Sequence, residues 1–177
     1  MGTNKRVMGE YKIKKLWRWL IVMSIILIIY FISDLPNLHL LRAEQIPLWL
    51  QKFGAKYTIN IGTTGFFSYT LSLYPEYVLR KIGHILAFGT LGVSFYWATA
   101  YSATWAIALT ALAAAGDEWH QSFVTGRNSR FGDVVLDTLA AIAFILIVQM
   151  IKKNAGVNYH SKPRRRHSRD HHRYSIF

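Results

Sequence analysis

The sequence predicts an all-α integral membrane protein: a four-transmembrane-helix bundle with a longer first extracytoplasmic loop and a disordered basic C-terminal tail. Three observations carry that reading. Residues 82–116 form a run of 35 positions without one Asp, Glu, Lys or Arg. As one helix that run would be roughly 50 Å long against a bilayer core of about 30 Å, so it divides into two short spans. Of 21 Lys and Arg residues, 14 flank the apolar region, and aromatic residues gather near its span ends.

The first element is a basic N-terminal segment, residues 1–15, with Lys5, Arg6, Lys12, Lys14 and Lys15. A first span follows over residues 16–32, interrupted only by Arg18. The apolar run continues to Phe31 with no small-x-small pattern after it, so an anchor is expected rather than a cleaved signal. Between the first and second spans, residues 33–81 make a loop too long for a simple connection. Within it, residues 46–53 suit a short surface helix, with Pro47 early and Gly54 after. Residues 58–73 combine β-branched and aromatic positions around Gly62 and Gly65, and the pattern leaves a hairpin and an irregular lid both open. Pro75 suits a first helical turn, so the second helix begins there and enters the membrane near Arg80.

The second and third spans cover residues 82–99 and 104–117, with a turn near Ala100–Thr104. Gly83, Gly89, Gly92 and Ser94, facing an alanine-rich third span, permit close helix approach. The fourth span, residues 134–151, contains one acid, Asp137. Together residues 16–151 form the membrane domain. Trp17, Trp19, Trp97, Tyr101 and Trp105 lie where amphipathic rings favour the headgroup level. The tail, residues 152–177, carries Lys152, Lys153, a run of arginines and four histidines, a composition that cannot bury a core. It reads as an anchor on anionic lipid; nucleic acid and metal capture lack the fixed spacing they need. There is no cysteine, which excludes disulfides and thiol chemistry.

Both termini are basic, so both are expected in the cytoplasm of a bacterial inner membrane, which requires an even number of spans. The loops at 33–81 and 117–133 then lie outside, although the first also carries Arg42, Lys52, Lys56, Arg80 and Lys81. This topology brings three polar groups to one membrane face. Arg80, Lys81 and His84 open the second span, Asp117, Glu118 and Gln121 close the third, and Asp133 and Asp137 open the fourth, beyond the loop residues Arg127 and Arg130. Residues four apart share a helix face, which pairs Asp133 with Asp137 and Asp117 with Gln121. Ionisable groups within a span usually face the bundle interior with a partner. Lys81 or Arg127 with Asp117, Glu118 or Asp133, and His84 with Asp137 or Gln121, are the expected pairings. Charges at span ends are also common simply because headgroups solvate them, an account that serves Arg80, Glu118 and Arg130 well; Asp137, inside an apolar span, resists it.

In order and spacing these residues resemble the VanZ-like membrane proteins. The resemblance rests on Asp117-Glu118-x-x-Gln121-x-Phe123, Gly126-Arg127 and Asp133-Val134-x-x-Asp137, with Arg80-Lys81-x-x-His84 upstream and Ser33 and Pro36 at the exit of the first span. It covers residues 80–147 convincingly and 16–151 more loosely. Departures are Ala87, where many relatives carry Glu ahead of an aromatic (here Phe88), Thr125 in place of Pro, Asp137 in place of Asn, and Ala140-Ala141 in place of a glycine. The resemblance implies a bacterial inner-membrane protein concerned with the cell envelope; the name-giving member is associated with low-level resistance to teicoplanin.

Function is expected to be non-enzymatic: an outward-facing polar pocket for a lipid headgroup, a cell-wall precursor or a lipoglycopeptide. Lys81 and Arg127 would hold the anion, Asp117, Glu118 and Asp133 would position those bases, and Gln121 and His84 would add hydrogen bonds. The expected partners are membrane lipids and not nucleic acid, with no catalytic residue, metal or cofactor. The competing readings are a membrane-embedded hydrolase using the same acids and His84, a small transporter with Asp137 and His84 on a proton path, and a scaffold. No H-E-x-x-H motif or internal repeat favours the first two, and His120, two residues after Glu118, points elsewhere on a helix.

Overall fold

A computed structural model describes residues 3–36, 41–62, 65–127 and 129–156; the basic tail expected beyond Gly156 lies outside the described residues. Along the chain come α1 (Thr3–Ser33), a 3-10 turn (Ala43–Gln45), α2 (Leu48–Lys56), β1 (Thr58–Ile61), β2 (Tyr69–Ser72), α3 (Pro75–Ala98), α4 (Ala103–Gln121) and α5 (Phe131–Asn154). Among the described residues the regular structure is helical apart from one hairpin. Each long helix outruns its expected apolar span: α1 starts in the basic segment, α3 starts at Pro75 and α5 runs three residues past 151. Among the described residues three helices are long and apolar enough to cross a membrane, over Ile13–Ser33, Pro75–Ala98 and Phe131–Asn154. The expected count was four. The difference is α4, whose last turns carry Asp117, Glu118, His120 and Gln121. The uncharged part before them is roughly 21 Å long, short of a core of about 30 Å.

The bundle is built around α3, which packs on α5, α4 and α1. Val22, Phe88, Leu91, Phe95, Ala106, Ala114 and Ile145 form its buried core. Small residues allow close helix approach, but the helix they meet most closely is α5 rather than the alanine-rich third span the sequence suggests. A Cβ on Gly89 would lie 2.7 Å from the ring of Phe144, and one on Gly92 would lie 2.6 Å from the Cβ of Ala141. Gly83 is different, with nothing within 4 Å of where its Cβ would stand. Large apolar side chains of α1, among them Leu16, Trp17, Leu27, Ile28 and Phe31, are exposed. A contiguous apolar surface of this kind suits lipid rather than water.

At one end of the bundle α3 turns into α4 through Ala100 and Tyr101, both left-handed at φ 55° and 68°. Two consecutive non-glycine residues there cost about 1–2 kcal/mol each. The Tyr101 N–H donates to the Tyr96 carbonyl at 2.7 Å. The same end gathers cations on aromatic rings. Arg18 donates to the Trp97 carbonyl at 3.2 Å with its guanidinium 5.0 Å from that indole, and the Lys152 ammonium stands 3.7 Å above Tyr101.

At the opposite end the long loop resolves into a hairpin, the alternative the sequence had left beside an irregular lid. Its strands are antiparallel, from Thr58 opposite Ser72 to Ile61 opposite Tyr69. The short helix expected at 46–53 runs two residues later at its start and includes Gly54, which is buried because a Cβ there would meet the Tyr74 backbone at 2.6 Å. The hairpin is tied to α5 where the Phe131 N–H donates to the Phe66 carbonyl at 2.8 Å, with the rings of Phe66 and Phe67 about 6 Å from Phe131.

Candidate functional site

Beneath the hairpin, the first turns of α3 and α5 and the last turns of α4 meet. The bundle brings Lys81, His84, Asp117, Glu118, Gln121, Arg127, Asp133 and Asp137 to this one end. Lys81 forms an ion pair with Asp133, bridging α3 and α5. One turn deeper, His84 Nδ1 lies 3.1 Å from Asp137 Oδ2, so the same two helices are linked twice in parallel. On α4, Gln121 Nε2 donates to Asp117 Oδ2 at 2.7 Å, the i,i+4 pair read from the sequence. The Arg130 backbone N–H donates to Glu118 Oε2 at 2.7 Å, which fixes the loop ahead of α5.

Two of these carboxylates are deeply buried with one oxygen each left over. Glu118 is 1% exposed and Asp137 0%, and neither Glu118 Oε1 nor Asp137 Oδ1 has a hydrogen-bond partner. A ring nitrogen of His84 and one carboxylate oxygen each of Asp117 and Glu118 lie within 4.8 Å of one another, close enough to converge on one ion. His120 stands apart, as expected. Its Nε2 is 3.2 Å from Asp34 Oδ1, at ion-pair distance but without hydrogen-bond alignment, and its ring rests 4.5 Å from Tyr30 of α1.

The residue pattern of the VanZ/LLP1 family matches residues 17–152. The chain belongs to the VanZ/LLP1 family. The match runs from the apolar part of α1 to the end of α5 and takes in every residue of the cluster. With three apolar helices of spanning length, this VanZ-like chain is a multi-pass membrane protein. Among curated proteins and among solved structures, nothing matches it.

The structure of this VanZ/LLP1 chain redistributes the expected contacts of Arg127. None of the acids holds its guanidinium; Nη2 donates to the Ile32 carbonyl at the end of α1, at 3.0 Å, and Nε has no hydrogen-bond partner. Burial, and then the nearby Arg80, pull the Arg127 pKa below its ordinary value, because desolvation disfavours its charge and Arg80 adds a like charge beside it. Arg80 is itself 2.8 Å from Glu76, one turn earlier on α3. The two arginines cap a groove between α1 and α3 of about 540 Å³, whose walls include Ile25, Ile29, Ile32, Gly83, Ala87 and Phe88. Ala87 leaves that wall apolar.

Tyr69 and Tyr77 join the cluster without being expected from the sequence. The Lys81 ammonium lies 5.5 Å and 5.2 Å from their rings, and the Tyr77 hydroxyl donates to the Thr70 carbonyl. Burial and the neighbouring Tyr77 and Asp133 push the Tyr69 hydroxyl above the usual phenol range, so it remains a neutral donor. Tyr77 carried a usable signal, since it sits four residues before Lys81 on one helix face. Tyr69 carried none, because only the hairpin fold brings it to α5.

Proposed function

We propose that this VanZ-like protein binds an anionic amphiphile: a lipid headgroup, a cell-wall precursor or a lipoglycopeptide. Its single strongest support is the groove between α1 and α3, apolar along its length and capped by Arg80 and Arg127. An acyl or polyprenyl chain fits the apolar part, and a phosphate or carboxylate fits the guanidinium of Arg127, a planar fork of donors. Lys81, Asp117, Glu118, Gln121, Asp133, His84 and Asp137 brace this end and position the loop that carries Arg127. In this proposal the protein acts by binding rather than by turnover, and a role in teicoplanin resistance would run through capture of a lipidated glycopeptide or its target.

In this reading residues 16–151 are the membrane domain, α4 completes a fourth crossing, and both basic ends, residues 1–15 and 152–177, face the cytoplasm. The groove mouth then opens on the outer side of the inner membrane. A short α4 is compatible with a crossing if the bilayer thins locally or the polar end lies at headgroup level.

Direct binding of the purified protein to fluorescent anionic and zwitterionic lipids tests the reading. Charge-assisted hydrogen bonds contribute about 1.5–3 kcal/mol, so Arg127→Ala is expected to weaken anionic lipid binding by roughly 10- to 100-fold. Gly83→Leu, filling the groove where nothing stands within 4 Å, is expected to block the lipid while leaving the helices in place. Equal binding by the parent and Arg127→Ala would sink the role of this arginine.

A further inference from the structure

The buried carboxylates lie in a position that lipid binding does not explain. Lys81 is paired with Asp133, Arg80 with Glu76, and Arg127 with the Ile32 carbonyl. Asp117, Glu118 and Asp137 are left around one imidazole, His84, with the Gln121 amide and the Arg130 N–H as further donors. Burying several carboxylates is costly unless each charge is balanced and each oxygen satisfied. Here Glu118 Oε1 and Asp137 Oδ1 are neither hydrogen-bonded nor in reach of solvent.

We propose that His84, Asp117 and Glu118 form a binding site for a divalent first-row metal ion, with zinc the best fit. One imidazole and two carboxylates, with a fourth position open to water, is a ligand set that zinc accepts, whereas magnesium and calcium prefer oxygen alone. Nδ1 of His84 faces Asp137, which places its proton on that nitrogen and leaves Nε2 to coordinate. This is the carboxylate–histidine–metal arrangement in which the outer acid sets the tautomer and orients the ring. Asp137 is thus a positioning residue. Its other oxygen lacks a partner, and a cation beside the imidazole offsets that buried charge.

Size and access are consistent with the site. Ligand atoms at about 2.1 Å from a tetrahedral ion stand roughly 3.4 Å apart, so a trio within 4.8 Å closes by at most about 1.4 Å. Rotamer adjustment of Asp117 and Glu118, both on the last turns of α4, supplies a movement of that size. A cavity of about 170 Å³ on the hairpin side, lined by Tyr77, Lys81, Gln121 and Asp133 among others, reaches His84. The proposal replaces the expectation that the cluster takes no metal, and it does not depend on amphiphile binding.

Metal analysis and calorimetry on the full chain, chelator-treated and without added lipid, test it with Zn²⁺, Mn²⁺ and Mg²⁺. The tail histidines are a competing source, so the reference is the protein with His160, His167, His171 and His172 replaced by alanine. That reference is expected to bind one equivalent of Zn²⁺ more tightly than Mn²⁺ or Mg²⁺. Glu118→Gln and Asp117→Asn are expected to weaken binding at least 100-fold, Asp137→Asn about 10- to 100-fold, and His120→Ala not at all. Cobalt loading adds a readout that loss of folding does not imitate. The parent should give the visible absorption of a tetrahedral ion, and Asp137→Asn should shift that band rather than abolish it. Zinc raises the melting temperature of the reference but not of Glu118→Gln. Zinc binding unchanged in both Asp117→Asn and Glu118→Gln, or no equivalent left once the tail histidines are gone, overturns the site. Either result leaves lipid binding by Arg127 untouched.

Discussion

Replacing Gly92 by alanine probes the close approach of α3 and α5, the contact that holds both halves of the polar cluster in register. The added Cβ would stand 2.6 Å from the Cβ of Ala141 and 3.0 Å from its Cα. Carbon atoms settle at about 3.5–4.0 Å, so the helices must part by about 1 Å. Overpacking of this kind costs about 1–3 kcal/mol, and the backbone of Ala141 cannot rotate aside as a flexible side chain can. Against it stands the better helix propensity of alanine, about 1 kcal/mol. Gly83→Ala separates the two effects, because nothing lies within 4 Å of its Cβ and only the propensity gain remains. Reversible unfolding in mixed detergent micelles should therefore place Gly92→Ala about 1–3 kcal/mol below Gly83→Ala. Measured against Ala141→Gly alone, Gly92→Ala should cost clearly less than it does in the parent, because the opposing methyl is gone. Equal stabilities for the two glycine variants, or an undiminished cost beside Ala141→Gly, would refute the close-packing argument.

Two further perturbations address the ends of the bundle. Lys81→Ala leaves Asp133 without its ion partner, with both side chains mostly buried. The expected loss is about 3–5 kcal/mol, and Lys81→Met with Asp133→Leu should recover much of it, as measured by thermal melting in detergent. At the other end, Ala100→Gly removes a left-handed alanine from the α3–α4 turn. It should stabilise the protein by about 1 kcal/mol after the added freedom of the unfolded chain is counted, and a lower unfolding midpoint would contradict the strain assigned to that turn.

Much of the architecture is a property of the sequence alone. Apolar blocks such as residues 82–116 need lipid or a core, whatever they pack against, and Pro75 sets a helix start through its own ring geometry. The i,i+4 pair of Asp117 and Gln121 follows from helix pitch, and the order of the polar motifs carries the family resemblance that the match over residues 17–152 bears out. Gly89 and Gly92 could be read as packing positions because small residues have few other reasons to recur in a span.

Tertiary structure decided which partner each polar group takes. Lys81 could have met any of three acids, and only the offset between α3 and α5 selects Asp133 for it and Asp137 for His84. Arg127 ends on a backbone carbonyl of α1, 95 residues away, a contact no side-chain pattern encodes. Gly83 looked like Gly89 and Gly92 in the sequence, yet it lines a groove, because a helix has several faces and only packing says which one is covered. Residues that share a helix announce their geometry through its period. Residues brought together from different helices, as His84, Asp117 and Glu118 are, meet through the rotation and offset of the helices, which depend on every contact in the core at once.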